Sequence, residues 1–247
     1  MKRIERRKLK GNEFADTVAR VRDLMVERQQ TVTTGVVAIV VVVLALGAFT
    51  AWRTSRRNNA TTALATALAV AEAPIVTPPA PAPGSPAPVQ QEGTYRTERA
   101  RDEAALPLLL KAADSYPSTD AGITARFRAA ATLADLGRFP EAEQRYREVI
   151  DKAGRSSIYA RTARLGLADT LAAEKKYDEA ISTLKELATD SNSQLPLDGI
   201  LMQLGRTASQ GGKTDEATRA YTRIVNEFPQ SLYAAEAREK IAELKKA

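Results

Sequence analysis

Asp178–Glu179 and Asp215–Glu216 are adjacent carboxylate pairs, the residue types that general acid–base work needs, and both stand where helical stretches begin. A carboxylate at a helix start is stabilised by the positive end of the macrodipole, which accounts for the pairs without catalysis. The sequence contains no histidine and no cysteine. That removes thiol and imidazole nucleophiles, disulfides, structural zinc sites and the commonest general base. There is no glycine-rich phosphate loop, nucleophile elbow or metal-ligand cluster. The expectation is a protein that is not an enzyme and carries no cofactor and no metal.

The chemistry that remains is recognition, so the distribution of charge and apolar surface decides the class. Over 247 residues the chain is 44% hydrophobic and 27% charged, which suits a globular helical protein. Its net charge of +6 is concentrated near the N-terminus: residues 1 to 30 hold nine basic and five acidic residues, and Arg53, Arg56 and Arg57 follow. Residues 93 to 247 hold 24 basic against 23 acidic side chains, so no footprint for a phosphate backbone is visible and nucleic acid is not an expected partner.

The basic excess flanks 24 consecutive uncharged residues, Gln29 to Trp52, apolar from Gly35 onward. About 20 such residues span a bilayer, and in hydrocarbon a single segment satisfies its backbone only as a helix. The imbalance of basic residues predicts a cytoplasmic N-terminus, and Trp52 suits the far interface. A cleaved signal peptide fits less well, because the charged leader and the apolar run exceed the usual lengths. Without a cysteine there is no lipoprotein attachment site. Within the leader, Phe14, Val18, Val21, Leu24 and Met25 recur at helical spacing among Arg20, Arg22 and Arg28. That segment is either an amphipathic helix on anionic headgroups or a leader that only sets topology.

Seven of the twelve prolines lie between Pro74 and Pro88, a composition that excludes helix and reads as a semi-rigid spacer in preference to a PxxP ligand. Asn59 to Ala73 before it reads as helix, continuous with the anchor.

From residue 93 onward the chain repeats itself. Ala129-Ala130 to Val149, Leu167-Ala168 to Leu187 and Leu204-Gly205 to Ile224 align, with Ala142, Ala180 and Ala217 spaced 38 and 37 apart. Ala105, Leu109, Ala112 and Pro117 match the second half of one more copy. The small residues Ala130, Ala168 and Gly205 are expected to face Ala142, Ala180 and Ala217 where two antiparallel helices meet, with Tyr146, Leu184 and Tyr221 one turn on filling the gap to the next repeat. Thr119, Ser157 and Ser231 read as N-caps, and Ser231 to Lys246 as a polar capping helix.

These residues resemble the tetratricopeptide repeat, with Pro229 closing the third copy. Arg126 and Arg164 stand at the repeat's usual tryptophan position, and Gly154 and Asn192 replace the proline. The motif Ser157-Ile-Tyr159-Ala160-Arg-Thr-Ala163-Arg164 and its counterpart from Ser231, with the leader Arg7 to Phe14, resemble the periplasmic branch shared by the ancillary SecYEG translocon subunit and the repeat domain of the cell division coordinator. The resemblance implies an all-α chain: a cytoplasmic leader (1–30), a transmembrane helix (31–52), a helical stem and proline-rich linker (53–92), and a periplasmic α-solenoid (93–247). The solenoid would hold about three and a half helix pairs and a capping helix.

By the same resemblance Phe127, Ala131, Asp135, Leu165, Asp169, Met202 and Arg206 line a concave groove. Repeats that clamp a C-terminal carboxylate carry Lys and Asn where this chain has Phe127, Leu165, Met202 and Ala131, so that activity is not implied. The implied function is a scaffold at the bacterial inner membrane, ancillary or chaperone-like at the translocon, taking a protein or extended peptide in its groove. The alternative is a structural subunit of an envelope or secretion complex.

Overall fold

A computed structural model describes Ala19 and residues 29–78, 89–154, 157–190 and 194–246. The leader pattern from Phe14 to Arg28, the prolines from Pro79 to Pro88 and the turn residue Asn192 lie outside the described residues. Among the described residues there are nine helices: α1 Gln29–Ala71, α2 Glu98–Ser115, α3 Asp120–Asp135, α4 Phe139–Ala153, α5 Ile158–Ala173, α6 Tyr177–Thr189, α7 Leu197–Gln210, α8 Thr214–Glu227 and α9 Ala234–Leu244. The only β pairing among them is an isolated bridge.

The chain divides into two compact units, Met1–Ser55 and Arg56–Ala247, and α1 contributes its first part to one and its last part to the other. In the first unit, α1 exposes Val36, Ile39, Leu44, Phe49 and Trp52 to the surroundings, and the stretch is long and apolar enough to cross a membrane. Thr34 and Thr50 donate their hydroxyls back to the carbonyls of Gln30 (2.7 Å) and Gly47 (2.9 Å), which pairs two polar groups inside the apolar run.

In the second unit, the last turns of α1 are part of the core. Ala60 and Ala67 are buried, Ala67 in one cluster with Ala105, Leu106 and Leu109 of α2, while Ala63 and Leu64 pack against Ala112, Ala113 and Ala125. The spacing of these alanines by seven residues, with their neighbours three or four away, is that of a helix presenting one narrow face to a partner. The core therefore extends upstream of residue 93, where side chains of the last turns of α1 cover the half pair expected from the sequence. The observed unit is three helix pairs, α3/α4, α5/α6 and α7/α8, preceded by α2 packed on α3 and followed by α9. This is the three and a half pairs and capping helix expected, with the last turns of α1 laid on α2 and α3.

The proline-rich segment consequently connects α1 to α2 within the second unit. Its two ends are stitched together. Val76 N–H donates to the Tyr95 carbonyl (2.8 Å) and Tyr95 N–H to the Pro74 carbonyl (3.0 Å). The Gln90 amide bridges to the Val76 carbonyl (3.0 Å) and the Thr94 hydroxyl (2.6 Å).

Thr119 and Ser157 cap α3 and α5, accepting from Gly122 N–H (3.0 Å) and Ala160 N–H (3.1 Å). Ser231 does not cap a helix. Its hydroxyl donates to Asp198 (2.6 Å) and accepts from Tyr233 N–H (3.1 Å), which holds a turn there, so α9 starts at Ala234. Gly154, at φ +79°, ends α4 in a backbone conformation that L-residues avoid.

Ala130, Ala142, Ala168, Ala180 and Ala217 are fully buried, as are Leu184 and Tyr221. A Cβ on Gly205 would lie 2.3 Å from the Tyr221 ring, so this tyrosine packs on the first helix of its own repeat. Tyr146 instead reaches the next repeat, its ring lying over Gly166 of α5. Pro229 is exposed beyond the end of α8.

Two neighbouring residues of α6 make the packing testable. Ala180→Leu adds three carbons where no space remains, and is expected to cost about 1 to 3 kcal/mol. Glu179, with 59% of its side chain exposed and a loose approach to Arg147 at 3.5 Å, should change stability by less than about 0.5 kcal/mol when replaced by alanine. Thermal melts of the two variants compare them directly. Equal melting of Ala180→Leu and the parent chain would mean that α5 and α6 are not in close contact there.

Candidate functional site

Three of the seven groove residues come together. Asp169 of α5 and Met202 and Arg206 of α7 line one cavity of about 480 Å³, with Gln203, Gln210 and Tyr233 completing its walls. Asp169 accepts a hydrogen bond from the Gln203 amide, which ties α5 to α7. Arg206 is held by Glu236 of α9 through two guanidinium nitrogens at 2.8 to 3.2 Å. Met202 is only 1% exposed, so it forms the apolar floor and offers a partner almost no surface of its own. The resemblance gave Met202 a groove position but could not show that it packs in one core cluster with Leu201 and Leu204.

The other four are strung along α3 and α5. Phe127 is half-buried and meets Tyr146 edge-to-face, with ring centroids 5.9 Å apart. Ala131 and Leu165 are half-buried, Leu165 against the second core cluster, and Asp135 is exposed. Asp135 and Asp169 both reach solvent, yet the flanking helices strip enough water from them to raise each carboxyl above its usual range. For Asp135, repulsion from Asp102 and Glu98 adds to that desolvation and Arg101 opposes it; for Asp169, the Gln203 amide opposes it.

Other participants were not read from the sequence. Arg126, at the position where the repeat usually has tryptophan, is buried, and donates to the Ala113 carbonyl (2.9 Å) and to Asp114 (3.3 Å) while its Nε lies 3.0 Å from Glu148. A cation thus does the stapling between successive pairs that an aromatic ring does elsewhere in such repeats. Asp114 also takes Arg145 (2.9 Å), so the two arginines and two carboxylates form one network. Further ion pairs join successive repeats: Lys176 with Glu143 (2.8 Å), Lys213 with Asp178 (2.9 Å) and Lys185 with Glu216 (2.7 Å). The two carboxylate pairs that first suggested acid–base chemistry are thereby engaged in inter-repeat contacts.

Antiparallel helix pairs stacked in one direction, with a groove built from the first helix of each pair, define a tetratricopeptide-type solenoid. The tetratricopeptide repeat-like domain family matches residues 29–246, and the chain belongs to that family. Among solved structures it is similar to the nearly identical TPR-like repeats of a Podosopora anserina protein assigned as a kinesin light chain, at 16% identity and a TM-score of 0.52, over 59% of this chain and 78% of that one. A variant of the same protein gives 16% identity and a TM-score of 0.49 over 59% and 86%. At this identity the likeness establishes the fold alone. No curated protein sequence matches the chain.

Proposed function

We infer that this protein is an inner-membrane-anchored scaffold whose solenoid faces the periplasm and holds an extended segment of another polypeptide along its concave face. It would act as an ancillary or chaperone-like component beside the protein translocon. The observation that carries the reading is the cavity between α5 and α7, where Asp169, Gln203 and Arg206 stand over an apolar floor. Side-chain amides and charges of that kind satisfy the backbone of an extended peptide laid across the cavity. The anchor rests on the apolar, exposed first part of α1 and on the basic residues before it.

Topology and binding are tested separately. Protease added to sealed spheroplasts is expected to digest residues 93–247 and spare the leader; full protection of that part would refute the orientation. A photo-crosslinking side chain in place of Gln203 should capture polypeptide in intact cells, whereas one in place of the exposed Glu186 on α6 should not. Equal capture at both would refute the groove. A captured chain that co-purifies in fixed stoichiometry through high salt would favour the structural-subunit reading over a transient client.

A further inference from the structure

The charges of the groove are unevenly answered. Arg206 is neutralised by Glu236 and Arg101 by Asp102 (3.2 Å), whereas Asp135 and Asp169 form no ion pair among the described residues. The element between them is Tyr146. It is 4% exposed, and a Cβ on Gly166 would lie 2.6 Å from its hydroxyl oxygen, so the phenol tip rests on the α5 backbone at Gly166. Gly166 and Asp169 are three residues apart and share one face of α5. The hydroxyl makes no hydrogen bond within the described residues and its oxygen is not sealed off from solvent, so it can accept one from a ligand. Burial pushes the phenol up to about 12, and the fields of Asp135 and Asp169 add to this, so the group stays neutral and both carboxylates act at its position. The glycine is what admits the ring: any side chain at 166 would displace the hydroxyl from α5.

A partner group that satisfies this arrangement donates several hydrogen bonds and carries positive charge. We propose that Asp135, the Tyr146 hydroxyl and Asp169 form a subsite for a lysine or arginine side chain of the extended segment bound in the groove. An ammonium or guanidinium there donates to both carboxylates and to the phenol oxygen, and lies near the Phe127–Tyr146 ring pair, whose faces attract cations. The surrounding charges support this choice. Glu98 and Asp102 reinforce the negative field at Asp135, and Arg101, the cation whose field opposes them there, is already paired. The subsite rests on the groove reading above and specifies its ligand.

The test uses the full chain in detergent and two capped, fluorescent eight-residue peptides, one alternating lysine with alanine, the other alternating glutamine with alanine. The lysine peptide is expected to bind about tenfold or more tightly, with the difference shrinking in high salt. Asp135→Asn and Asp169→Asn should each remove most of that preference, and Tyr146→Phe a smaller part, while Asp215→Asn on the exposed start of α8 should leave it intact. The aspartate variants should melt no lower than the parent, because the carboxylates they remove are desolvated without a counter-ion and the asparagine oxygen at 169 can still accept from Gln203. Equal binding of the two peptides would overturn the cation subsite and leave the groove standing. A preference for lysine that survives both aspartate substitutions would overturn the assignment of these residues. Failure of both peptides to bind would remove the groove and the subsite together.

Discussion

A soluble chain beginning at Gly93 is expected to melt at least about 6 °C below one beginning at Arg56. Both contain every copy of the repeat visible in the sequence, and only the longer one contains the last turns of α1. Without them, Leu106 and Leu109 lose the helix that covers them, together with the alanine contacts of Ala105, Ala112 and Ala113. Exposing a leucine-sized side chain costs about 1.5 to 3 kcal/mol, so two leucines set a loss of about 3 to 6 kcal/mol. For a domain of this size each kcal/mol moves the melting temperature by about 2 to 4 °C. Circular dichroism melts of the two fragments decide the matter. Coincident melts would show that the α1 contacts contribute nothing.

Gly122→Ala should be the most damaging single methyl addition in the second unit. The added Cβ would lie 1.8 Å from the Tyr116 carbonyl oxygen and 2.7 Å from its carbon, atoms of the backbone that no rotamer change can remove. That carbonyl also accepts from Thr119 N–H (3.1 Å) and the Thr119 hydroxyl (3.0 Å), the residue that caps α3. Relieving the clash therefore loosens the cap and the α2–α3 turn together, for an expected cost of about 3 kcal/mol or more. Gly137→Ala provides the contrast: at φ +76° with nothing near the new carbon, it carries only the left-handed backbone penalty of about 1 kcal/mol. If the two variants melt together, the tight turn at Tyr116 is not present in solution.

Much of the solenoid was legible because alanine at a helix crossing is a steric requirement that recurs with the repeat. Ala142, Ala180 and Ala217 could be aligned by eye for that reason. The end of α1 obeys the same requirement, but its Ala60, Ala63 and Ala67 stand in a sequence so rich in alanine that no face is distinguished. The prolines from Pro74 to Pro88 then separate this helix from its partner by far more chain than a repeat's internal turn normally uses. At the candidate site, the resemblance to the repeat put Asp169 and Arg206 at groove positions, and both line one cavity. Their partners were not legible: Gln203 and Glu236 lie elsewhere in the chain, and Arg126 donates to a carbonyl of the preceding helix. Such pairings need the rotation between one pair and the next, which no local pattern encodes. Met202, given by the same resemblance, is buried by neighbours that a single repeat does not reveal.

The stitched base at Val76 and Tyr95 makes the second unit indifferent to what it carries between α1 and α2. Once the two strands of the base are joined, the conformational cost of a longer excursion grows only logarithmically, by about 0.6 kcal/mol for each doubling of its length. The helices on either side are positioned by the base and by their own packing, so the segment can lengthen, shorten or change composition over generations without altering the fold. The same property makes it an insertion port, where a fluorescent or affinity module could be spliced into the chain with both helices left in register.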